Sequence, residues 1–390
     1  MMRILLLFLV LCLQSVNAQQ SMFINSYGGY NSSGVRREVS DAFFYGGLID
    51  SLAIENSYNK LQQRNSFGLQ MGLNAQWQSP WTLAKEKSKW GSSYNWTFGA
   101  GIHQYAAIQF SKDLFGLTFK GGQPFAGDSL QLSPLNAEQM IFSKIGLGCY
   151  DPETHSSFLI HFVSVQQNLQ AEIQNGTWYQ DPSSAQIELD LMGKANLFGN
   201  KTNAYGVALD IDYRFGDNDT SLQAKEFQLL IQNLGFARSS QNDAYQLDGH
   251  LSFGAYSFAD LQQLEVSNIA SQLLDSLGYQ KELTSTWFLL PTTIQLSKML
   301  DWQSPQRFEA YYGALFMLRQ VFTPMVYAGA EYKVSTKWHS GLGLVYGGFG
   351  GLRIQAYSAL RWKRSELCLR SDNIALQNGA SLFLQFRCDL

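Results

Sequence analysis

Residues 205–215 read YGVALDIDYRF, and this stretch alternates without interruption. The odd-numbered positions are large and apolar, whereas the even-numbered positions carry glycine, alanine, aspartate or arginine. Successive side chains of a strand point to opposite faces, so the pattern predicts a strand with one apolar and one small or charged face. The stretch is longer than the mean globular strand of about 5–6 residues. It matches the roughly 9–11 residues with which a tilted strand crosses a bilayer.

The same alternation recurs along the chain, for example in Phe67–Trp77, Leu352–Trp362 and Leu382–Leu390. Because lipid leaves no sheet edge unpaired, such strands must close into an antiparallel up-and-down barrel. Bacterial barrels have an even number of strands, so we expect about 14 strands, with 12–16 open. The candidate strands are 65–78, 93–110, 138–150, 155–174, 185–198, 202–216, 225–238, 246–258, 286–299, 307–319, 325–335, 338–348, 351–362, 363–374 and 379–390. This odd set contains one wrong strand or lacks an N-terminal one.

Composition supports an all-β protein that is either extracellular or embedded in an outer membrane. Charged residues are 15% of the chain, against roughly 25% in soluble domains, and aromatic residues are 14%. A disordered chain would have few aromatic residues and a high net charge, whereas this chain has a net charge of −3. A nucleic-acid-binding protein would be basic, so we expect no nucleic-acid partner. A helical membrane protein would show apolar runs of about 20 residues, which this sequence lacks.

The N-terminal region divides into two parts. Residues 1–18 read as a secretory signal, with Arg3 before the apolar core Ile4–Leu13 and small residues before a cleavage site after Ala18. The sequence therefore predicts export to the outer membrane of a Gram-negative bacterium, where membrane lipid surrounds the protein. Residues 19–64 are not cleanly periodic and would form a lumen hatch or the missing first strand, before a barrel of residues 65–390.

The turns predict a direction for each strand. If both termini are periplasmic, the short links 335–337 and 363–365 become periplasmic turns. Gly347–Gly351 and Asp217–Ala224 then become outer turns. Asp217–Thr220 also has the clustered oxygens of a calcium site, although such a run is more often a polar turn.

One segment follows a helical period instead. Residues 258–277 carry apolar side chains at a spacing near 3.6, and Gly278 would end the helix, which gives a helical insertion at 258–280. The helix would plug the lumen, cap the mouth or merely pack on a loop. Its candidate gating residues are Leu261, Leu264, Ile269, Leu273 and Leu274.

The polar face of YGVALDIDYRF predicts the character of the lumen. Asp210, Asp212 and Arg214 share one face and would point inward together. Paired acids can serve in acid–base catalysis, but a lumen balanced by facing arginines is the interpretation we favour. A charged lumen biases which solutes pass. The further lumen candidates are Glu309, Arg319, Arg353, Arg361, Arg370 and Arg387.

The sequence offers no strong catalytic or metal motif. The five histidines form no H-E-x-x-H spacing, and there is no G-x-S-x-G elbow. His161 beside Ser157 and Ser164 is the nearest imitation of a barrel lipase site. Of the cysteines, Cys368 and Cys388 could pair, although all three mature cysteines fit small apolar fillers better. We expect no enzyme activity, no cofactor and no metal.

Several segments together have a familiar pattern: Leu61–Asn65, Leu114–Gly122, Gly206–Tyr213, Leu229–Phe236, Leu274–Leu277 and Leu289–Pro291. Through them the chain resembles a large family of uncharacterised outer-membrane β-barrel proteins from Bacteroidetes-type bacteria, a domain of unknown function. More distantly it is similar to fatty-acid-transporter-like barrels and to barrels of the type IX secretion and gliding apparatus. The resemblance implies a location and a fold, and no established activity.

Several functions remain open at this stage. A porin-like channel or transporter for a small or hydrophobic solute would have an open or gated lumen. A scaffold partnered with a secretion or surface-motility machine would have a filled lumen and work through its loops. A soluble secreted β-sandwich that binds glycans is the alternative outside the membrane, and it would need shorter strands than those predicted.

Overall fold

The computed structural model describes residues 21–82, 94–184, 186–216, 227–253, 278, 280–298 and 306–389. The α-helices of this part are α1 (Arg37–Tyr45), α2 (Ser51–Lys60) and α3 (Lys112–Lys120). The strands are β1 (Ser21–Ser32), β2 (Asn65–Thr82), β3 (Asn95–Phe110), β4 (Ser129–Gln131), β5 (Leu135–Tyr150), β6 (Ser157–Gln180), β7 (Ile187–Phe215), β8 (Phe227–Phe253), β9 (Gln280–Leu289), β10 (Thr293–Lys298), β11 (Phe308–Met317), β12 (Thr323–Ser335), β13 (Trp338–Gly348), β14 (Gly350–Trp362), β15 (Ser365–Ser371) and β16 (Gly379–Asp389). No helix in the described ranges is long and apolar enough to cross a membrane.

The strands close into an antiparallel barrel. The hydrogen-bonded order is β10 to β16, then β1, β2, β3, β5, β6, β7 and β8, and β8 pairs again with β10. This closure gives 14 strand positions and confirms the predicted barrel. β9 pairs with β8 beyond β10, so that β9 and β10 are one interrupted strand. The β-sandwich alternative is wrong, because one continuous sheet closes on itself.

The strand count is correct, although two of the strands were each predicted as two separate strands. The candidates 185–198 and 202–216 are one strand, β7, and 225–238 and 246–258 belong to β8 as far as Phe253. β1 lies within residues 19–64, for which the missing first strand was one of the two alternatives, and it pairs with both β16 and β2. Merging the two divided strands and adding β1 turns the odd set into the observed 14 positions.

The outer face of the barrel is an apolar belt. On β7, the side chains of Tyr205, Val207 and Tyr213 are 52%, 47% and 53% exposed. The segment 205–215 covers about 33 Å at ~3.3 Å per residue, or about 25 Å along the barrel axis at a tilt near 40°. That height matches the apolar band of membrane barrels. The belt therefore faces lipid.

The two ends of the barrel differ. At the terminal end, Ser21 of β1 lies opposite Asp389 of β16, and the turns 336–337 and 363–364 lie there too. The opposite far end carries α1, α2, α3 and Phe349 of the β13–β14 turn. Phe215 pairs with Phe227 at the terminal end. The predicted outer turn Asp217–Ala224 lies outside the described residues, and the described residues that flank it, Phe215 and Phe227, are at the opposite end from Phe349.

At the far end, β6 to β9 continue beyond the barrel rim as a twisted sheet that we call the extension. β5 begins at Leu135 opposite Ile173 of β6, and β6 continues to Gln180. The outer face of the extension is polar, with Glu172 paired to Lys194 at 3.2 Å and Asp190 to His250 at 2.6 Å. Its inner face packs on a buried cluster of Phe125, Leu130, Leu132 and Trp178.

Residues 33–64 lead from β1 to β2 at the far end. Val39 of α1, Ala53 of α2 and Phe115 of α3 share one buried cluster with the end of β3. Asp50 and Ser111 cap α2 and α3 through their side chains. Lys120 donates to Glu55 at 2.8 Å, and this hydrogen bond lowers the pKa of the exposed Glu55 carboxyl. The helices are thereby joined to one another outside the belt.

Candidate solute cavity

The barrel encloses a cavity of about 1230 Å³. Its wall combines amide, tyrosine and charged side chains from the inward faces of the strands. Six of the nine predicted lumen residues line it: Asp210, Asp212, Arg214, Arg361, Arg370 and Arg387. Glu309, Arg319 and Arg353 are not among the lining residues. A selectivity role for any of these residues stays a prediction.

The three remaining lumen candidates do not line the cavity. Glu309 of β11 lies opposite Glu331 of β12. Arg319 belongs to the turn between β11 and β12 at the far end. Arg353 of β14 is 8% exposed, and its Nη2 donates to the sulfur of Met325 at 3.7 Å.

A buried cluster crosses the lumen at the far end; we call it the mouth cluster. It joins Tyr105 of β3 to Met317 at the end of β11, and to Phe322 and Phe349 of two turns, on the other side of the barrel. The Phe322 and Phe349 rings meet edge to face at 5.1 Å, and Tyr105 lies 6.2 Å from Phe349. Ser66 of β2 donates to the Phe349 carbonyl at 3.1 Å. Two short turns therefore fold inward and meet the opposite wall.

Arg319 holds the mouth cluster through charge. Its Nη1 lies 3.1 Å from Oε2 of Glu138 on β5, and the two side chains are 9% and 14% exposed. Its Nη2 donates to the carbonyl of Leu289 on β9, and its guanidinium lies 5.7 Å from the Tyr105 ring centroid. One side chain thus ties the β11–β12 turn to three other strands.

The paired acids of YGVALDIDYRF have separate partners. Oδ2 of Asp210 lies 2.6 Å from Nζ of Lys144 and 3.1 Å from Nε2 of His161. Lys144 also donates to Asn233 at 2.7 Å. Asp212 accepts from Gln228 at 2.8 Å and pairs with Arg214 at 3.3 Å. Each carboxylate is therefore balanced by its own cation, as a charged lumen wall requires.

Sequence reasoning missed a second polar group inside the barrel. Buried Glu331 of β12 accepts hydrogen bonds from Tyr357 of β14 and His339 of β13. Glu331 and His339 lie on either side of the two-residue turn 336–337. A hairpin register through that turn was the available signal, since it places both side chains on the inward face of neighbouring strands.

Tyrosine rings lie flat over glycines of adjacent strands. A Cβ at Gly72 would lie 2.6 Å from Cε1 of Tyr27. A Cβ at Gly313 would lie 2.6 Å from Cζ of Tyr327. The inward glycines make room for rings that would otherwise extend further into the lumen. Small residues on the polar face of the alternation were the sequence signal for these positions.

The remaining candidates have mixed outcomes. His161 faces the cavity and pairs with Asp210, so its side chain is not aimed at the membrane as a barrel lipase site would need. Cys368 lies opposite Gln385 and Cys388 opposite Ser365, and both are free. Within the described ranges, no cluster of three metal-ligating side chains occurs. Asp217–Thr220 and the gating-helix residues lie outside the described residues: Leu261, Leu264, Ile269, Leu273 and Leu274.

Comparison with known proteins gave structural neighbours only. No protein-family model and no curated protein matches the chain. The toluene transporter TodX of P. putida is 8% identical, with 96% of this chain and 91% of TodX covered and a TM-score of 0.37. The toluene transporter TbuX of Ralstonia pickettii is 9% identical, with 96% and 90% covered and a TM-score of 0.35. The transport unit of the autotransporter AIDA-I from Escherichia coli is 6% identical, with 97% and 92% covered and a TM-score of 0.24. All three TM-scores are below 0.5, so the similarity to these structures is weak.

Proposed function

We propose that the protein is an outer-membrane channel for small solutes, exported through residues 1–18. The observation that carries this proposal is the lined cavity inside a closed 14-strand barrel, with the mouth cluster across one end. A barrel of this width holds a ligand cavity rather than a large open pore. The host would be a Gram-negative bacterium, and membership of the Bacteroidetes-type family is part of the proposal.

The mouth cluster is the proposed gate. Its lumen-crossing part consists of the β11–β12 turn and the single turn residue Phe349. Arg319 is the charged tie between the β11–β12 turn and Glu138. Removal of one partner from a buried ion pair leaves the other charge uncompensated, at a cost of about 3–5 kcal/mol. Loss of Arg319 would therefore favour conformations in which the β11–β12 turn leaves the lumen.

The test is conductance of the refolded mature protein in a planar bilayer. Wild type is compared with Arg319→Ala and with Arg364→Ala, a control in a terminal-end turn. We expect a small steady conductance in wild type and the control, and a conductance at least severalfold larger in Arg319→Ala. Heat-modifiable gel migration confirms that each form has folded. Folded but electrically silent barrels in all three forms would contradict the channel.

The predicted helix at 258–277 is tested in the same bilayer. A variant lacking residues 260–277 should conduct more than wild type if the helix lies in the mouth or lumen. An unchanged conductance would leave the mouth cluster as the only proposed gate.

A scaffold in a secretion or surface-motility machine is the second candidate. The extension and the packed helices favour it, because they provide a folded surface beyond the belt at the far end. Silent barrels, together with specific crosslinking of the extension to another membrane protein in cells, would favour the scaffold over the channel.

A further inference from the structure

One rung of the barrel wall combines an arginine with three aromatic side chains. In the strand register, Phe383 of β16 lies opposite Tyr27 of β1 on one side and opposite Arg370 of β15 on the other. Arg370 in turn lies opposite Tyr357 of β14. All four residues line the cavity. We call this set the arginine–aromatic rung.

Arg370 is positioned by its neighbours and still has free donors. Its guanidinium lies 4.3 Å from the Phe383 ring centroid, and its Nε lies 3.2 Å from Oδ1 of Asp372. Among the described residues, its two terminal nitrogens have no hydrogen-bond partner, and 29% of the side chain is accessible. A guanidinium with two free parallel donors matches the two oxygens of a carboxylate.

The charge around Arg370 also favours an anion. A second guanidinium, that of Arg353, shares the inward face of β14 with Gln355 and Tyr357. Arg353 is buried, and within the described part of the chain its Nε and Nη1 have no hydrogen-bond partner. Glu331, the nearest carboxylate along the rung, already accepts hydrogen bonds from Tyr357 and His339.

The rings beside Arg370 provide a surface for a flat apolar group. Tyr27 and Phe383 are nearly parallel, with ring centroids 6.3 Å apart. On the other side of Arg370, Tyr357 meets Tyr311 edge to face at 5.3 Å. Aromatic rings favour contact with other rings in offset or edge-to-face arrangements.

We propose that the arginine–aromatic rung binds a small aromatic carboxylate, with the carboxylate on Arg370 and the ring beside Phe383 and Tyr357. This inference rests on the proposed channel function and names the class of solute. A one-ring acid fits easily, since the cavity has a volume of about 1230 Å³. The ring alone or the acid alone would use half of the site.

The experiment is equilibrium dialysis of the refolded protein in detergent against benzoate, benzyl alcohol and acetate. We expect benzoate to bind at least about tenfold more tightly than either partial probe. Arg370→Gln should weaken benzoate binding about 10- to 100-fold, because a hydrogen bond to a charged group is lost. Arg370→Lys keeps the charge without the planar fork and should give an intermediate affinity.

Arg387→Gln is the matched control, because Arg387 also lines the cavity and its Nε also lies 3.2 Å from an aspartate. It lies toward the terminal end, outside the rung, so benzoate binding should change less than twofold. Equal binding of benzoate and benzyl alcohol, or equal losses in Arg370→Gln and Arg387→Gln, would overturn the proposal. The readout is independent of conductance. Benzoate binding without conductance would contradict the channel function and support the binding site. Conductance without benzoate binding would support the channel function and contradict the binding site.

Discussion

At the scale of single residues, the inward glycines determine how the tyrosines of the lumen lie. Gly313 of β11 is covered by the ring of Tyr327 from β12. The carbonyl oxygen of Leu296 on β10 lies on its other side. A methyl group at this position would meet both a ring and a fixed backbone atom, so that no single side-chain rotation would relieve the contact.

Gly313→Ala should therefore destabilise the barrel. The new Cβ would lie 2.6 Å from Cζ of Tyr327 and 2.7 Å from the Leu296 carbonyl oxygen. Overpacking of this kind costs about 1–3 kcal/mol. The measurement is the urea midpoint of the heat-modifiable band in detergent. Gly28→Ala is the control, because a Cβ there meets no atom within 4 Å. Equal midpoints for the two variants would show that Tyr327 moves without cost.

At the scale of elements, β7 changes the character of its outer face along its length. From Tyr205 to Phe215 the outward side chains are apolar, whereas the exposed side chains nearer its start include Glu188, Asp190 and Lys194. The outer face of β7 therefore contacts water near the start of the strand and lipid near its end. The change of polarity marks the edge of the belt at the far end.

Charge on the outer face should be tolerated in the extension and not in the belt. Ile160 of β6 lies in mid-belt opposite Leu209 and is 58% exposed, and Met192 of β7 lies in the extension and is 43% exposed. Ile160→Arg should cost about 2–4 kcal/mol of stability in a bilayer. Met192→Arg should change it by less than about 0.5 kcal/mol. Reversible unfolding in lipid vesicles measures both, and similar losses would place the belt edge elsewhere.

The sequence pattern of β7 and of β1 is hard to interpret for physical reasons. The polar run around Asn200–Asn203 resembles a turn, yet β7 continues through it because the strand leaves lipid there. In β1, Phe23 and Tyr27 face the cavity while Ile24 lies on the other face. Large apolar or aromatic residues on both faces hide the alternation. An uninterrupted alternation of apolar with small or charged residues occurs where one face of the strand meets lipid and the other face is small or charged, as in YGVALDIDYRF.

The candidate site was predictable only in part. Alternation alone placed Asp210, Arg370 and Arg387 on the inward face, and all three line the cavity. It named Arg319 as a lumen residue of a strand, but it could not show that Arg319 belongs to a turn that folds inward, because a turn has no period. It could not show that Arg370 lies beside Phe383 either, because the register between two strands depends on pairing rather than on either strand alone.

At the scale of the whole molecule, the barrel depends on the first strand. β1 has 12 residues and supplies pairing to both β16 and β2. A variant without residues 21–32 would leave two unpaired edges, which lipid does not allow. We expect no heat-modifiable folded band from this variant and no protection from protease in vesicles.

Moving β1 should rescue that variant. Ser21 lies opposite Asp389, so residues 21–32 placed after β16 through a two-residue Asn-Gly turn can form the same antiparallel pair. The relocated form should regain the folded band and the protection. If the truncated form folds without β1, or if relocation fails although the protein is produced, closure depends on something other than the strand itself.

The pairing of β1 with β16 also sets the order of folding. Asn373 donates to Asn31 across 342 residues of chain, and the rate of folding falls as the sequence separation of contacts grows. Bringing such distant segments together costs conformational entropy, and this cost arises before any hydrogen bond between β1 and β16 can offset it. The β1–β16 pairing is therefore the slowest contact to form, and two sheet edges stay unpaired until it forms. A chain that stops before β16 has no route to a closed state, so complete synthesis and export come before insertion.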